Sequence, residues 1–276
     1  MSVNSYLNYL AQRAIVRNNE KESIQISIDT ILQRLKGYDE NVDMFSPKKH
    51  QIDKTLIFGS YKRKTMLSRI FDDNSDVDIM VVFGKKFQGF YSLEPRNAKT
   101  KSPKTYLNYL KDFAENKYPT SLRRQDFPAI VLELNHIKFD LVPAIIDDCG
   151  QYKIPRKRTS NDWYQFDEWI PTNPNDLDGA LSNNQTLRRL VRVAKIWNAK
   201  QGYIYESYEL EKWIIHNSFY GNPNENLAQH FYRFCELLPI NLNLSQENQR
   251  KIQKLKDSAK RAEYSDDKST IQDLFE

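Results

Sequence analysis

A Gly-Ser pair and three aspartates carry the chemistry that can be read from this chain. Gly59-Ser60 is followed, after fifteen residues, by Asp76-Val77-Asp78, which runs directly into Ile79-Met80-Val81-Val82-Phe83. Farther on, Asp140 interrupts the otherwise apolar stretch from Ile137 to Val142. In a strand, residues i and i+2 point to the same face, roughly 6.6 Å apart, so Asp76 and Asp78 project together. If the strand of Asp140 lies beside theirs, three carboxylates converge. Three anions in a half-buried site are costly unless cations neutralise them. Oxygen-only ligands suit Mg2+, with Mn2+ as an alternative, because such an ion keeps waters and substrate phosphates in its shell. Two such ions about 3.5–4 Å apart activate an attacking hydroxyl and stabilise a leaving pyrophosphate. Gly59-Ser60 precedes Lys62-Arg63-Lys64. A glycine there lets backbone approach a phosphate, and the serine adds N–H and O–H donors in a nest-like turn.

Singly, an Asp-x-Asp at a strand start reads as a turn or a solvated edge, and a Gly-Ser pair reads as nothing. Their conjunction is what points to a site. Asp140 is the hardest to explain otherwise, since an unpaired carboxylate inside an apolar strand is expensive.

The elements that must position these residues follow from periodicity. Residues 5–36 read as one helix, with Ile24, Ile28, Ile31, Leu32 and Leu35 on one stripe and Gly37 as its C-cap. Lys54–Phe58 and Asp76–Phe83 read as strands, the second apolar enough to be covered on both faces. Ser102-Pro103 opens a helix with Tyr106, Leu110 and Phe113 buried. Ala129–Leu134 and Ile137–Ile146 read as a hairpin. Residues 150–180, with Pro155, Pro171 and Pro174, read as a connecting loop region in which Trp163, Tyr164, Phe166 and Trp169 must pack. From 181 the pattern is helical. Leu187, Leu190, Val191, Ala194 and Trp197 form one face, with Arg188, Arg192 and Lys195 on another. Further helices are expected near 207–220, 225–238 and 245–262. The expectation is an α+β fold: a mixed sheet with helices over residues 1–165, then a helical lobe over 166–276, the active site lying in a cleft between them and the first helix acting as a spine.

Composition narrows the function. The chain has 276 residues, 41 Lys+Arg against 36 Asp+Glu, and a formal charge of +5. That charge is compatible with a polyanionic ligand without demanding one. Only 8 glycines are present, well under the ~7% average, which argues against a Gly-rich phosphate loop. Two cysteines, Cys149 and Cys235, cannot build a zinc ribbon, and His50, His136, His216 and His230 show no ligand spacing. The longest apolar run, Ile79–Phe83, is far from the ~20 residues of a membrane span, and the N-terminus lacks the features of a signal peptide. A soluble, cytoplasmic protein is expected.

Gly59-Ser60, Asp76-x-Asp78 and Asp140 resemble the signature of the DNA polymerase β nucleotidyltransferase superfamily. More narrowly, Phe58–Thr65, Ser75–Val82 and Phe139–Ala144 resemble the bacterial cyclic GMP–AMP synthase-like nucleotidyltransferases, which make cyclic or linear oligonucleotide second messengers in anti-phage signalling. The similarity is strong over about 51–150 and weaker over about 180–215. It implies a polymerase β-like core, two Mg2+ ions held by Asp76, Asp78 and Asp140, and catalysis by the same three residues. Leu187–Trp197 looks like the family's helix with a triphosphate-binding lysine, here Lys195. Ser207-Tyr208-Glu209-Leu210-Glu211 looks like the segment whose serine meets phosphates and whose tyrosine stacks on a base. An ammonium suits a phosphate, and base stacking on an aromatic ring is worth ~1–3 kcal/mol. The resemblance thus implies substrate contacts from Gly59, Ser60, Lys195, Ser207 and Tyr208. Lys153–Arg158 is a basic run read first as a solvated loop, and Thr172-Asn173 is a weaker candidate for reading a base edge.

The resemblance implies a synthase that joins nucleoside triphosphates into a cyclic di- or trinucleotide with pyrophosphate release, a monomer feeding a product-sensing effector. No Cys/His cluster is present, so the resemblance implies no activation by DNA. Alternative activities are nucleotide addition to RNA ends, adenylylation of a protein, nucleotide binding without turnover, and plain nucleic-acid binding.

Overall fold

The structure, a computed structural model, describes residues 1–40, 52–84, 101–156, 168–217 and 225–276. In chain order the elements are α1 (Val3–Arg13), α2 (Asn18–Glu40), β1 (Ile52–Phe58), α3 (Gly59–Arg63), β2 (Asp76–Phe83), α4 (Pro103–Lys117), β3 (Leu122–Asp126), β4 (Ala129–Glu133), β5 (Lys138–Ile146), β6 (Tyr152–Pro155), β7 (Trp169–Pro171), α5 (Asp178–Ser182), α6 (Gln185–Lys200), α7 (Ser207–His216), α8 (Leu227–Leu237) and α9 (Gln246–Ser265). Trp163, Tyr164 and Phe166 lie outside the described residues. The chain forms two compact units. One comprises Asn18–Lys62 and Asp76–Asp176, the other Met1–Arg17, Arg63–Ser75 and Leu177–Glu276.

The first unit is built on a mixed sheet ordered β1-β2-β5-β4-β3, with β6 paired to β5 and β7 to β6. β2 and β5 run parallel, and the other pairs are antiparallel. β2 and β5 are the near-continuous apolar runs, and they occupy the centre, as a strand covered on both faces should. Phe83 stacks on Tyr106 of α4 with centroids 4.3 Å apart, so the odd-numbered face of β2 lies under that helix. The even-numbered face carries Met80 and Val82, which cluster with Ala144. Asp76 and Asp78 precede Met80 and Val82 on this same face.

The stripe expected on the N-terminal helix is present, with Ile24, Ile28, Ile31 and Leu35 buried. The single helix expected over 5–36 is instead two. The ladder stops at Ala14, whose carbonyl accepts the N–H of Ser68 at 2.8 Å, and buried Val16 turns inward before α2 begins. Gly37 does not cap α2, which continues through it to Glu40. β3, β6 and β7 are strands that the periodicity left unmarked. All five residues of β3 are exposed, so no alternation marks it.

The second unit packs α1, α6, α7, α8 and α9 around one apolar cluster. Leu7 and Leu10 of α1, Trp197 of α6, Ile214 of α7, Phe231 of α8 and Leu255 of α9 belong to it. The face Leu187, Leu190, Val191, Ala194 and Trp197 read from the sequence is buried as a whole. Asn184 caps α6, its side chain accepting the N–H of Leu187 at 2.9 Å. Among the described residues no helix is long and apolar enough to cross a membrane.

Candidate active site

In the sheet, Asp78 of β2 is the register partner of Asp140 on β5, and Asp76 is the partner of Lys138. Neighbouring strands lie about 4.8 Å apart, and register partners share a face. Asp76, Asp78, Asp140 and Lys138 therefore stand on one face of the two central strands, at their N-terminal ends. Across β4 and β3 the same row continues through Val131 to Arg124. Lys138 is buried while Asp76, Asp78 and Asp140 are half-buried.

The field here is negative. Burial first, then the neighbouring Asp76 and Asp126, pushes the Asp140 carboxyl up to about 7, against the opposing pull of Arg124 and Lys138. Such a carboxylate is under-supplied with positive charge, and a bound cation would relieve it. The oxygen-only donors fit a hard divalent ion. Asp78 is turned toward Gly59: a Cβ on that glycine would lie 1.8 Å from Asp78 Oδ2. Gly59 also has φ +71°, in the left-handed region that glycine enters without penalty. The position therefore requires glycine twice over, for its backbone and for the Asp78 side chain. Ser60 follows it, half-buried in the first turn of α3. Among the described residues no group of three or more His, Cys, Asp or Glu side chains stands arranged to hold a metal ion; what fits a divalent ion here is the donor type and the shared face of the three aspartates.

The helical unit holds the remaining candidates. Lys195 is not on a solvated face. Its Nζ lies 2.6 Å from Glu211 Oε2, and Glu211 is fully buried. Glu211 Oε1 accepts from Arg63 Nε at 2.7 Å and from the Thr65 hydroxyl at 2.8 Å. Burial alone would raise the Glu211 carboxyl, but Lys195 and Arg63 overcome it and hold the group at about 2. Arg192 is buried as well. It donates to the Ala11 carbonyl at 3.0 Å and the Lys64 carbonyl at 2.8 Å. Arg188 donates to the carbonyls of Leu181 and Ser182. Ser207 is the first residue of α7. Tyr208 is 43% exposed, with the Arg63 guanidinium 5.9 Å from its ring centroid.

The weaker candidates are engaged locally. Lys153 pairs with Asp147 at 3.1 Å, and the residues after Arg156 in that basic run lie outside the described ones. Asn173 Oδ1 accepts the N–H of Asn175 at 3.0 Å within its own loop. His216 and His230 bond to carbonyls of their own helices. Glu211 is the residue that sequence reasoning passed over; its signal was an acid four residues from Ser207, aligned with the buried side of α7.

Residues 1–184 match the family described as Second Messenger Oligonucleotide or Dinucleotide Synthetase domain. No curated protein sequence matches the chain. Among solved structures, E. coli MS115-1 CdnC with ATP is 14% identical with a TM-score of 0.67, covering 100% of this chain and 98% of that one. The apo form of Vibrio cholerae DncV is 10% identical with a TM-score of 0.70, covering 99% of this chain and 94% of that one. Bradyrhizobium diazoefficiens CdnG in complex with GTP is 12% identical with a TM-score of 0.65, covering 94% of this chain and 92% of that one.

Proposed function

The chain belongs to the Second Messenger Oligonucleotide or Dinucleotide Synthetase family, and from that premise we propose that it joins nucleoside triphosphates into a cyclic di- or trinucleotide, releasing pyrophosphate, in bacterial anti-phage defence. It is a nucleotidyltransferase, a cyclic oligonucleotide synthase with the α+β fold of its relatives. Nucleotidyltransferases of this family use divalent metals. Here the ions would be two Mg2+, with Mn2+ as an alternative, on Asp76, Asp78 and Asp140. Bound there, they would supply charge stabilisation at the transferring phosphate and make the acceptor hydroxyl more acidic.

The chain's own residues then have separable tasks. Asp140 would complete one metal site and help take the proton from the acceptor hydroxyl, whose acidity a bound ion would raise. Gly59 and Ser60 hold the donor triphosphate by backbone approach and hydroxyl donation. Lys195 and Ser207 contact its phosphates, and Tyr208 stacks on a base. ATP in the CdnC structure and GTP in the CdnG structure support nucleoside triphosphates as the substrates. The reading extends to a product-sensing effector downstream, to a cytoplasmic monomer, and to a functional division of the chain into a nucleotidyltransferase core over 1–165 and a helical lobe over 166–276.

The observation that carries the proposal is the pairing of Asp78 with Asp140 on adjacent parallel strands, with Asp76 on the same face. Asp76→Ala combined with Asp78→Ala is expected to abolish pyrophosphate release from nucleoside triphosphates with Mg2+ or Mn2+. Persisting release would remove the mechanism. Mass spectrometry of the product formed from all four triphosphates, with no other acceptor present, tests the product class. A phosphatase-resistant small product is expected, whereas label transferred only to added RNA or protein would favour the alternative activities.

A further inference from the structure

Two motifs in this chain have no task in the proposed chemistry, the turn Arg63-Lys64-Thr65 and the acid at the end of Ser207–Glu211. In the structure they meet. Glu211 divides its two oxygens, Oε1 accepting from Arg63 Nε at 2.7 Å and from Thr65 at 2.8 Å, and Oε2 facing Lys195 Nζ at 2.6 Å. The carboxylate has no exposure, and the side chains of Arg63 and Lys195 are 6% and 7% exposed. The cluster holds two cations and one anion, so one positive charge remains where water scarcely reaches. An ammonium has three N–H donors, and one carboxylate oxygen occupies one of them. What remains suits an anion approaching Lys195.

The geometry on α7 adds to this. Ser207 and Glu211 are four residues apart and lie on one helix face. Ser207 therefore stands one turn before Glu211 on the helix face from which Glu211 reaches Lys195. Tyr208 is drawn in through Arg63, whose guanidinium lies 5.9 Å from its ring centroid. Arg63 is itself oriented by the Glu211 oxygen it donates to. The backbone between Arg63 and Thr65 is pinned as well, because the Lys64 carbonyl accepts from buried Arg192 at 2.8 Å, and Lys64 sits at φ 61°.

We propose that Glu211 is the positioning residue for the nucleotide-binding side chains of the helical unit, holding Lys195 and Arg63 in place and aligning Ser207 and Tyr208 with them. This rests on the phosphate-binding reading of Lys195 given above. Glu211 touches no substrate; it acts through the cations it orients.

The experiment is steady-state pyrophosphate release against nucleotide concentration in Glu211→Gln, Glu211→Asp, Lys195→Met and the double variant Glu211→Gln/Lys195→Met, with circular dichroism to verify folding. Glutamine keeps the shape and removes the charge; aspartate keeps the charge and loses the reach to both cations. Each single variant is expected to raise KM for the nucleotide by about tenfold, the scale of one charge-assisted hydrogen bond, with kcat little changed. The double variant is expected to raise KM by clearly less than the product of the two single effects, since part of the Glu211 effect runs through that ammonium and the rest through Arg63. Should Glu211→Gln fail to fold, Glu211→Asp carries the measurement. A folded Glu211 variant with wild-type KM, while Lys195→Met raises it, overturns the inference alone. An unchanged KM in Lys195→Met overturns the phosphate reading, and the inference falls with it. Full additivity in the double variant also overturns it.

Discussion

Glu211 has two cations and a hydroxyl crowded onto its carboxylate and none of it in water. Removing one member of such a buried set leaves charge uncompensated, at a cost of about 3–5 kcal/mol. The pH dependence follows from the direction of the shift. Its folded pKa of about 2 lies below the ordinary 4.5, so the stabilisation is complete above about 4.5 and is lost as pH falls through about 2. The stability gap between wild type and Glu211→Gln in urea unfolding is thus expected to be constant above pH 5 and to close toward pH 2. A gap that persists unchanged at pH 2 would contradict the ion triad. The same scale explains what could be read in advance. Asp76, Asp78 and Asp140 break apolar strands, so their cost advertises them. Lys195 and Arg192 carry no such mark. Their partners are Glu211, Lys64 and Ala11, residues so remote in the chain that a helical wheel shows only charge and suggests solvent.

Strands and helices were legible where their own side chains pay for their burial. β2 runs Asp76–Phe83, matching the apolar pattern at both ends, and α6 buries the whole face that its periodicity predicts. The N-terminal helix was misjudged because its break at Ala14 is made by a hydrogen bond from Ser68, fifty-four residues away in sequence. β3 was missed because an exposed edge strand has no reason to alternate, and β7 because three residues cannot show a period. α6 deserves a direct test, since it carries Lys195. Its start depends on the Asn184 side chain accepting from Leu187. Asn184→Ala is expected to cost about 1 kcal/mol, an effect of roughly 2–4 °C in the thermal midpoint for a chain this size. An unchanged midpoint would mean that packing alone sets the helix start.

For the molecule as a whole, the notable property is how its two units are threaded. The apolar cluster of the helical unit draws on Val3, Leu7 and Leu10, then Leu67, then residues from Leu177 to Phe275. A fragment comprising 166–276 lacks α1 and Leu67, and it is expected to show weak tertiary signals and to bind a hydrophobic dye. Co-expression with 1–165 is expected to restore a folded species, observed as a co-purifying pair with native near-ultraviolet dichroism. A cooperative, dye-free fragment 166–276 would show that α1 is dispensable to that core. Threading also imposes a schedule on synthesis. α1 leaves the ribosome well before its partners from Leu177 onward are made, with Val3, Leu7 and Leu10 bare. At about 5–20 residues per second, that apolar face waits on the order of ten to thirty seconds, time in which a nascent-chain chaperone can bind it and in which the sheet unit can fold ahead of its neighbour.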